Sequence, residues 1–154
     1  MNPNISEHIS YAEATVSATG SRKGIKNDPP PETLAVMKVT AEKLFEPIRK
    51  YFGVPITILS FYRCPELNKA VGGAKNSQHV DGEAIDAQMT SGVTNRDLWD
   101  WLKTNPIEFD QIIYEFGDDN EPDWIHMSYT TRRKNRQQAL RAIKVNGKTK
   151  YIPF

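Results

Sequence analysis

Residues 109–129 read FDQIIYEFGDDNEPDWIHMSY. Two runs rich in β-branched and aromatic residues, 109–116 and 124–129, flank an acidic segment that carries Gly117 and Pro122. Runs of this kind bounded by turn formers are strand signals. Working outward, residues 140–145 and 148–152 are separated by Asn146-Gly147, the favoured two-residue hairpin turn, and form a C-terminal hairpin over 140–152. Residues 83–89 and the PITILSF run at 55–61 read as further strands, the latter as a buried one. Before and between them lie helix signals. Val36, Met37, Thr40, Ala41, Leu44, Phe45, Ile48 and Phe52 recur at three- and four-residue steps and predict an amphipathic helix over 32–52, kinked or broken at Pro47. Pro65 starts a short helix stopped by Gly72-Gly73, and Thr94-Asn95 cap one carrying Leu98, Trp99, Trp101 and Leu102. Residues 1–31 read as a short helical element and a turn-rich arm ending in Asp28-Pro29-Pro30-Pro31. Helices come early, strands late, and regular βαβ spacing is missing. The expectation is an α+β fold with a mostly antiparallel sheet flanked by helices, in one domain over 1–154.

Composition narrows the function classes. Hydrophobic residues make up 38% of the 154, enough for a packed interior, and the formal net charge of +1 predicts no general attraction to nucleic acid. No apolar run reaches the roughly 20 residues needed to span a bilayer, and the N-terminus lacks the pattern of a secretory signal. The chain is therefore expected to be made in the cytoplasm. The single cysteine, Cys64, excludes an internal disulfide and a multi-cysteine zinc site. Residues 132–150 are basic without an intervening acid, which reads as a solvated surface or a contact with an anionic polymer.

Three histidines carry the candidate chemistry: His8, His79 and His126. His8 falls in the N-terminal helical element and is left out of any ligand set. In SQHVDGEAID (77–86), His79 precedes Asp86 by seven residues, Gly82 allows a sharp turn between them and Ala84 allows close packing. His126 sits inside an apolar strand. Two imidazoles and one carboxylate suit a catalytic zinc, which keeps a fourth position open. Taken one by one, each has a plain alternative: His126 as a satisfied core histidine, His79 as part of a polar loop.

S-x-H-x-x-G-x-A-x-D over 77–86, followed by W-I-H at 124–126, resembles the D-alanyl-D-alanine carboxypeptidase family of zinc peptidases. That family is related in fold to the hedgehog signalling domain and includes many phage endolysins. Ser60-Phe61-Tyr62-Arg63 with Leu67-Asn68 resembles its upstream arginine segment, and Ser6-Glu7-His8 and Pro30-Pro31 resemble the phage-type subgroup. The resemblance implies one Zn2+ held by His79, Asp86 and His126, and Arg63 stabilising negative charge at the scissile carbonyl or on a substrate carboxylate. It implies that Ser77 and Gln78 bind substrate or position His79. Asp123, three residues before the last histidine, is favoured as general base, although side chains three apart on a regular strand face opposite ways. Glu115 is the rival, if its strand pairs with 124–129. Trp99, Trp101 and Trp124 read as core, with Trp124 also a candidate for the pocket wall. The implied activity is hydrolysis of peptidoglycan stem peptides by a monomeric phage or prophage endolysin that reaches the wall after release through the membrane. A D-Ala-D-Ala carboxypeptidase of cell-wall metabolism and a non-catalytic zinc-binding structural module are the alternatives. Peptidoglycan is the expected partner and nucleic acid is not.

Overall fold

A computed structural model describes residues 3–154. The N-terminal arm, whose first two residues lie outside the described ones, holds two short helices, α1 (Tyr11–Thr15) and α2 (Ala18–Lys23). Ser10 and Glu13 form a capping box at the start of α1. His8 is not helical, in contrast to expectation: it lies in the tight turn closed by the Ser6–Ile9 bridge.

The long amphipathic stretch is α3 (Pro31–Thr40), a π-wound segment (Ala41–Phe45) and α4 (Glu46–Phe52). Pro47 cannot donate a backbone hydrogen bond and its ring crowds the preceding turn. The chain meets this by widening just before the proline rather than by breaking, and Ala41, Leu44, Phe45 and Ile48 stay fully buried. Next come β1 (Ile56–Ser60), α5 (Pro65–Ala70), β2 (Ala84–Met89) and α6 (Asn95–Thr104). They are followed by β3 (Gln111–Glu115), β4 (Trp124–Ser128), β5 (Gln138–Val145) and β6 (Lys148–Pro153). Thr94 and Asp97 form the capping box of α6.

The six strands form one sheet in the order β1-β2-β4-β3-β5-β6. Four pairings are antiparallel and β3 with β5 is parallel, so the sheet is mixed. The parallel pair has a local cause. β4 ends beside the start of β3, and the 129–137 loop folds over that end, where Arg136 N–H donates to Asp110 and Gln137 N–H to the Phe109 carbonyl. β5 therefore leaves in the direction of β3. β1 is an edge strand and not a buried one: only one of its faces is covered, and Leu59 is exposed.

Side chains alternate across a strand. Ile85 and Ala87, Ile112 and Tyr114, and Ile125 and Met127 share one face and pack into the core with Met37, Leu44, Phe45, Ile48, Leu98 and Leu102. The same alternation places Asp86, Ile113, Glu115, Trp124 and His126 on the opposite face. No helix among the described residues is long and apolar enough to cross a membrane.

Candidate metal centre

Strand register joins the site. Asp86 on β2 lies directly opposite His126 on β4, and His126 lies opposite Ile113 on β3. His79 arrives from the loop between α5 and β2. Gly82 turns that loop with φ +74°, and a Cβ there would stand 2.7 Å from Met37 Cγ, so the turn lies tight against α3. The Thr40 hydroxyl donates to the Gly82 carbonyl and fixes the turn from the helix side.

His79 is buried, and its Nδ1 lies 2.8 Å from the Phe61 carbonyl oxygen. A carbonyl only accepts, so Nδ1 carries the proton and Nε2 carries the lone pair. Nε2 lies 3.2 Å from Asp86 Oδ2 yet makes no hydrogen bond with it. His126 Nδ1 lies 2.9 Å from Asp86 Oδ1, and the two imidazole rings stand 5.2 Å apart between centroids. One donor atom from each of His79, Asp86 and His126 lies within 4.8 Å of the other two. A buried lone pair facing a carboxylate oxygen is two acceptors in contact, which calls for a cation between them. The trio thus fits a metal on chemical grounds. Burial pushes the His79 imidazole towards its neutral form, ready to ligate. Burial alone would raise Asp86; positive charge on the neighbouring His79, when that ring is protonated, or the hydrogen bond from His126 Nδ1 holds it below the usual carboxylate range, so it stays ionised.

The trio opens on a cleft of about 1040 Å³ that Arg63, Glu115 and Trp124 also line. Arg63 follows β1, its backbone N–H donating to the His79 carbonyl; its guanidinium is half-buried with Nε unpartnered. Glu115 is 8% exposed, and burial, with the Asp86 charge adding to it and His126 partly opposing it, pushes its carboxyl up to about 7. A carboxyl poised there exchanges protons at neutral pH.

Asp123 does not line the cleft. It is exposed, it precedes β4, and its backbone N–H donates to the Glu115 carbonyl. Its own carbonyl accepts from Gln88 Nε2 and from Asn95 at the start of α6. Strand alternation sets it on the other side from His126, and no bulge reverses that.

Ser77 lines the cleft and its Oγ accepts from the His79 N–H, so it holds the loop that presents the imidazole. Gln78 spends its side-chain N–H groups on Glu83 and Asp110, which ties the same loop to two buried carboxylates. Trp124 packs edge-on against Phe116 on the cleft wall, 5.6 Å between centroids, whereas Trp99 packs on Tyr114 in the core. Three contributors escape sequence reading: Glu83, Asp110 and Tyr151. Asp110 shares the run 109–116 with Glu115, and nothing in its local sequence sets it apart. Tyr151 reaches the cleft because β6 pairs back along β5.

The basic stretch is not a uniform surface. Arg132 pairs with Asp81 and Glu83, Arg133 and Arg136 with Asp110, and Arg141 with Asp119, while Lys148 and Lys150 are exposed on the hairpin. Glu7, His8 and Glu46 also bring three donor atoms within 4.8 Å. There the Glu46 carboxylate already accepts from Ser6 Oγ and the His8 backbone N–H, so no lone pair is stranded.

Two imidazoles and one carboxylate at the floor of an open cleft are the donor set of a zinc hydrolase. The family model described as Peptidase M15 matches residues 7–128, and the chain belongs to this family of zinc metallopeptidases, the D-Ala-D-Ala carboxypeptidase-like group. No curated protein matches the chain.

Proposed function

We propose that the chain is a zinc-dependent peptidase that hydrolyses peptide bonds in peptidoglycan stem peptides. His79 through Nε2, Asp86 through its carboxylate and His126 through Nδ1 would hold one Zn2+. The observation that carries this reading is the unpaired, buried Nε2 of His79 beside the ionised Asp86. Zinc held there would polarise the scissile carbonyl and lower the pKa of water to about 7.

The chain's own groups do the rest. Glu115, and not Asp123, is the general base: it faces the cleft and titrates near neutrality, accepting a proton from water and delivering it to the leaving amine. Arg63 sets its cation beside the trio, where negative charge grows on the substrate oxygen. Ser77 and Gln78 position His79 rather than grip substrate.

An endopeptidase of the phage or prophage endolysin kind is the setting we favour over a carboxypeptidase. The cleft is roomy, about 1040 Å³, and its lining includes both the His79 loop and Tyr151, which suits an internal stretch of peptide. The test is digestion of purified sacculi with zinc, with chelator, and with zinc restored, followed by mass spectrometry of the released muropeptides. Activity is expected to be lost and regained. Undiminished cleavage by His126→Ala defeats the proposal.

A further inference from the structure

At the end of the cleft away from Glu115, the wall is made by Arg132, Arg133 and Arg136. All three lie in the 129–137 loop, beyond the segment that the family model matches. Each is gripped from behind by a carboxylate with almost no exposure. Glu83 accepts from Arg132 Nε and Nη2; Asp110 accepts from Arg133 Nη1 and Nη2 and from Arg136 Nε and Nη2. The side chains of Glu83 and Asp110 are 2% and 0% exposed, against 61%, 44% and 45% for Arg132, Arg133 and Arg136. The arginines are thus fixed on their buried side; Arg132 Nη2 also meets the half-exposed Asp81, which lines the same cleft, while Arg133 and Arg136 are open on the cleft side. Among the described residues, Nη1 of Arg132, Nη1 of Arg136 and Nε of Arg133 have no protein partner.

We propose that these three arginines form a subsite for a free carboxylate of the stem peptide, away from the scissile bond, and so select the charge state of the substrate. Guanidinium groups held in one orientation lose little freedom on binding and match a carboxylate with paired donors. Glu83 stands three residues before Asp86, and Asp110 five residues before Glu115. At about 3.3 Å per residue these separations are about 10 and 17 Å along the sheet. Allowing for the reach of a guanidinium, the anion lies two to four residues from the bond cut. Stem peptides carry carboxylates at such positions, on D-glutamate and on the diamino acid, and cells differ in whether these are amidated. The inference takes its ligand from the peptidase reading, but the subsite is a separate set of residues.

The experiment compares a soluble stem peptide with free carboxylates against the same peptide with those carboxylates amidated. Cleavage is measured with the zinc-loaded chain, and binding by calorimetry with zinc-loaded Glu115→Gln. The free form is expected to bind and be cleaved about tenfold better, with the difference in KM rather than kcat. Arg136→Gln is expected to remove that preference. Arg132→Gln serves if Arg136→Gln fails to fold, because it leaves Asp110 paired. Equal binding of the two peptides, or a preference that survives the arginine substitutions, overturns the subsite. Failure to cleave either peptide, with the binding difference intact, overturns the peptidase reading and leaves the subsite standing.

Discussion

Replacing Glu115 with glutamine separates the proposed chemistry from the fold. The side chain keeps its size and loses its charge, so packing against the cleft wall is preserved. In the metal-free chain burial lifts this carboxyl from 4.5 to about 7. A carboxyl raised on folding binds its proton more tightly in the native state, so stability falls as pH rises from about 4.5 to about 7 and stays reduced above it. The shift corresponds to something on the order of 3 kcal/mol lost above pH 7. Glu115→Gln should therefore stabilise the chelated protein at pH 8 by up to about 3 kcal/mol and change little at pH 4.5. Its activity with zinc should fall by a factor of about 100 to 10,000, the range for loss of a general base. Denaturant unfolding at the two pH values and turnover of a stem peptide provide the readouts. A variant with wild-type turnover, or one destabilised equally at both pH values, would refute the assignment.

Asp123→Asn is expected to keep turnover within a factor of about three, because its carboxylate stands outside the cleft; a loss as large as that of Glu115→Gln would restore Asp123 as the base. Gly82→Ala should cost about 3 kcal/mol in a melting experiment, from the φ of +74° and the 2.7 Å approach to Met37; an unchanged melting temperature contradicts this. Burial alone would raise Asp110, but Arg136 and Arg133 hold it below the usual carboxylate range, so its contribution is present above about pH 4 and is lost as pH falls further. Asp110→Ala should cost about 3 kcal/mol, the low end for a broken buried pair because both arginines can regain water, and should flatten the acid limb of the stability curve. An acid limb identical to wild type counts against it.

The residues that hold the trio were legible because they obey local rules. Asp86 and His126 alternate with core residues on their strands, and Gly82 marks the turn that returns His79 to them. The strands, the N-terminal cap of α6 and the Asn146-Gly147 hairpin were readable for the same reason. What escaped depends on pairing between distant segments. Glu115 could be ranked above Asp123 only once Glu115 was known to sit opposite Trp124, which fixes the faces of both strands. The basic run at 132–150 looked solvated because its partners, Glu83 and Asp110, lie some 20 to 50 residues earlier. The parallel β3–β5 pair follows from that same buried cluster. His8 stands in a turn rather than a helix because the Ile5 and Ser6 N–H groups donate to the Ile9 carbonyl, a closure that residue types alone do not signal.

Elemental mass spectrometry of the purified chain tests the central claim most directly, carried out beside His79→Ala, Asp86→Asn, His126→Ala and Glu46→Gln, a control in the second three-donor cluster. One tightly held zinc per chain is expected in the wild type and in Glu46→Gln, and none in the three trio variants when their circular dichroism shows that they are folded. A wild-type chain that binds no zinc, or trio variants that retain it in full, would contradict the account.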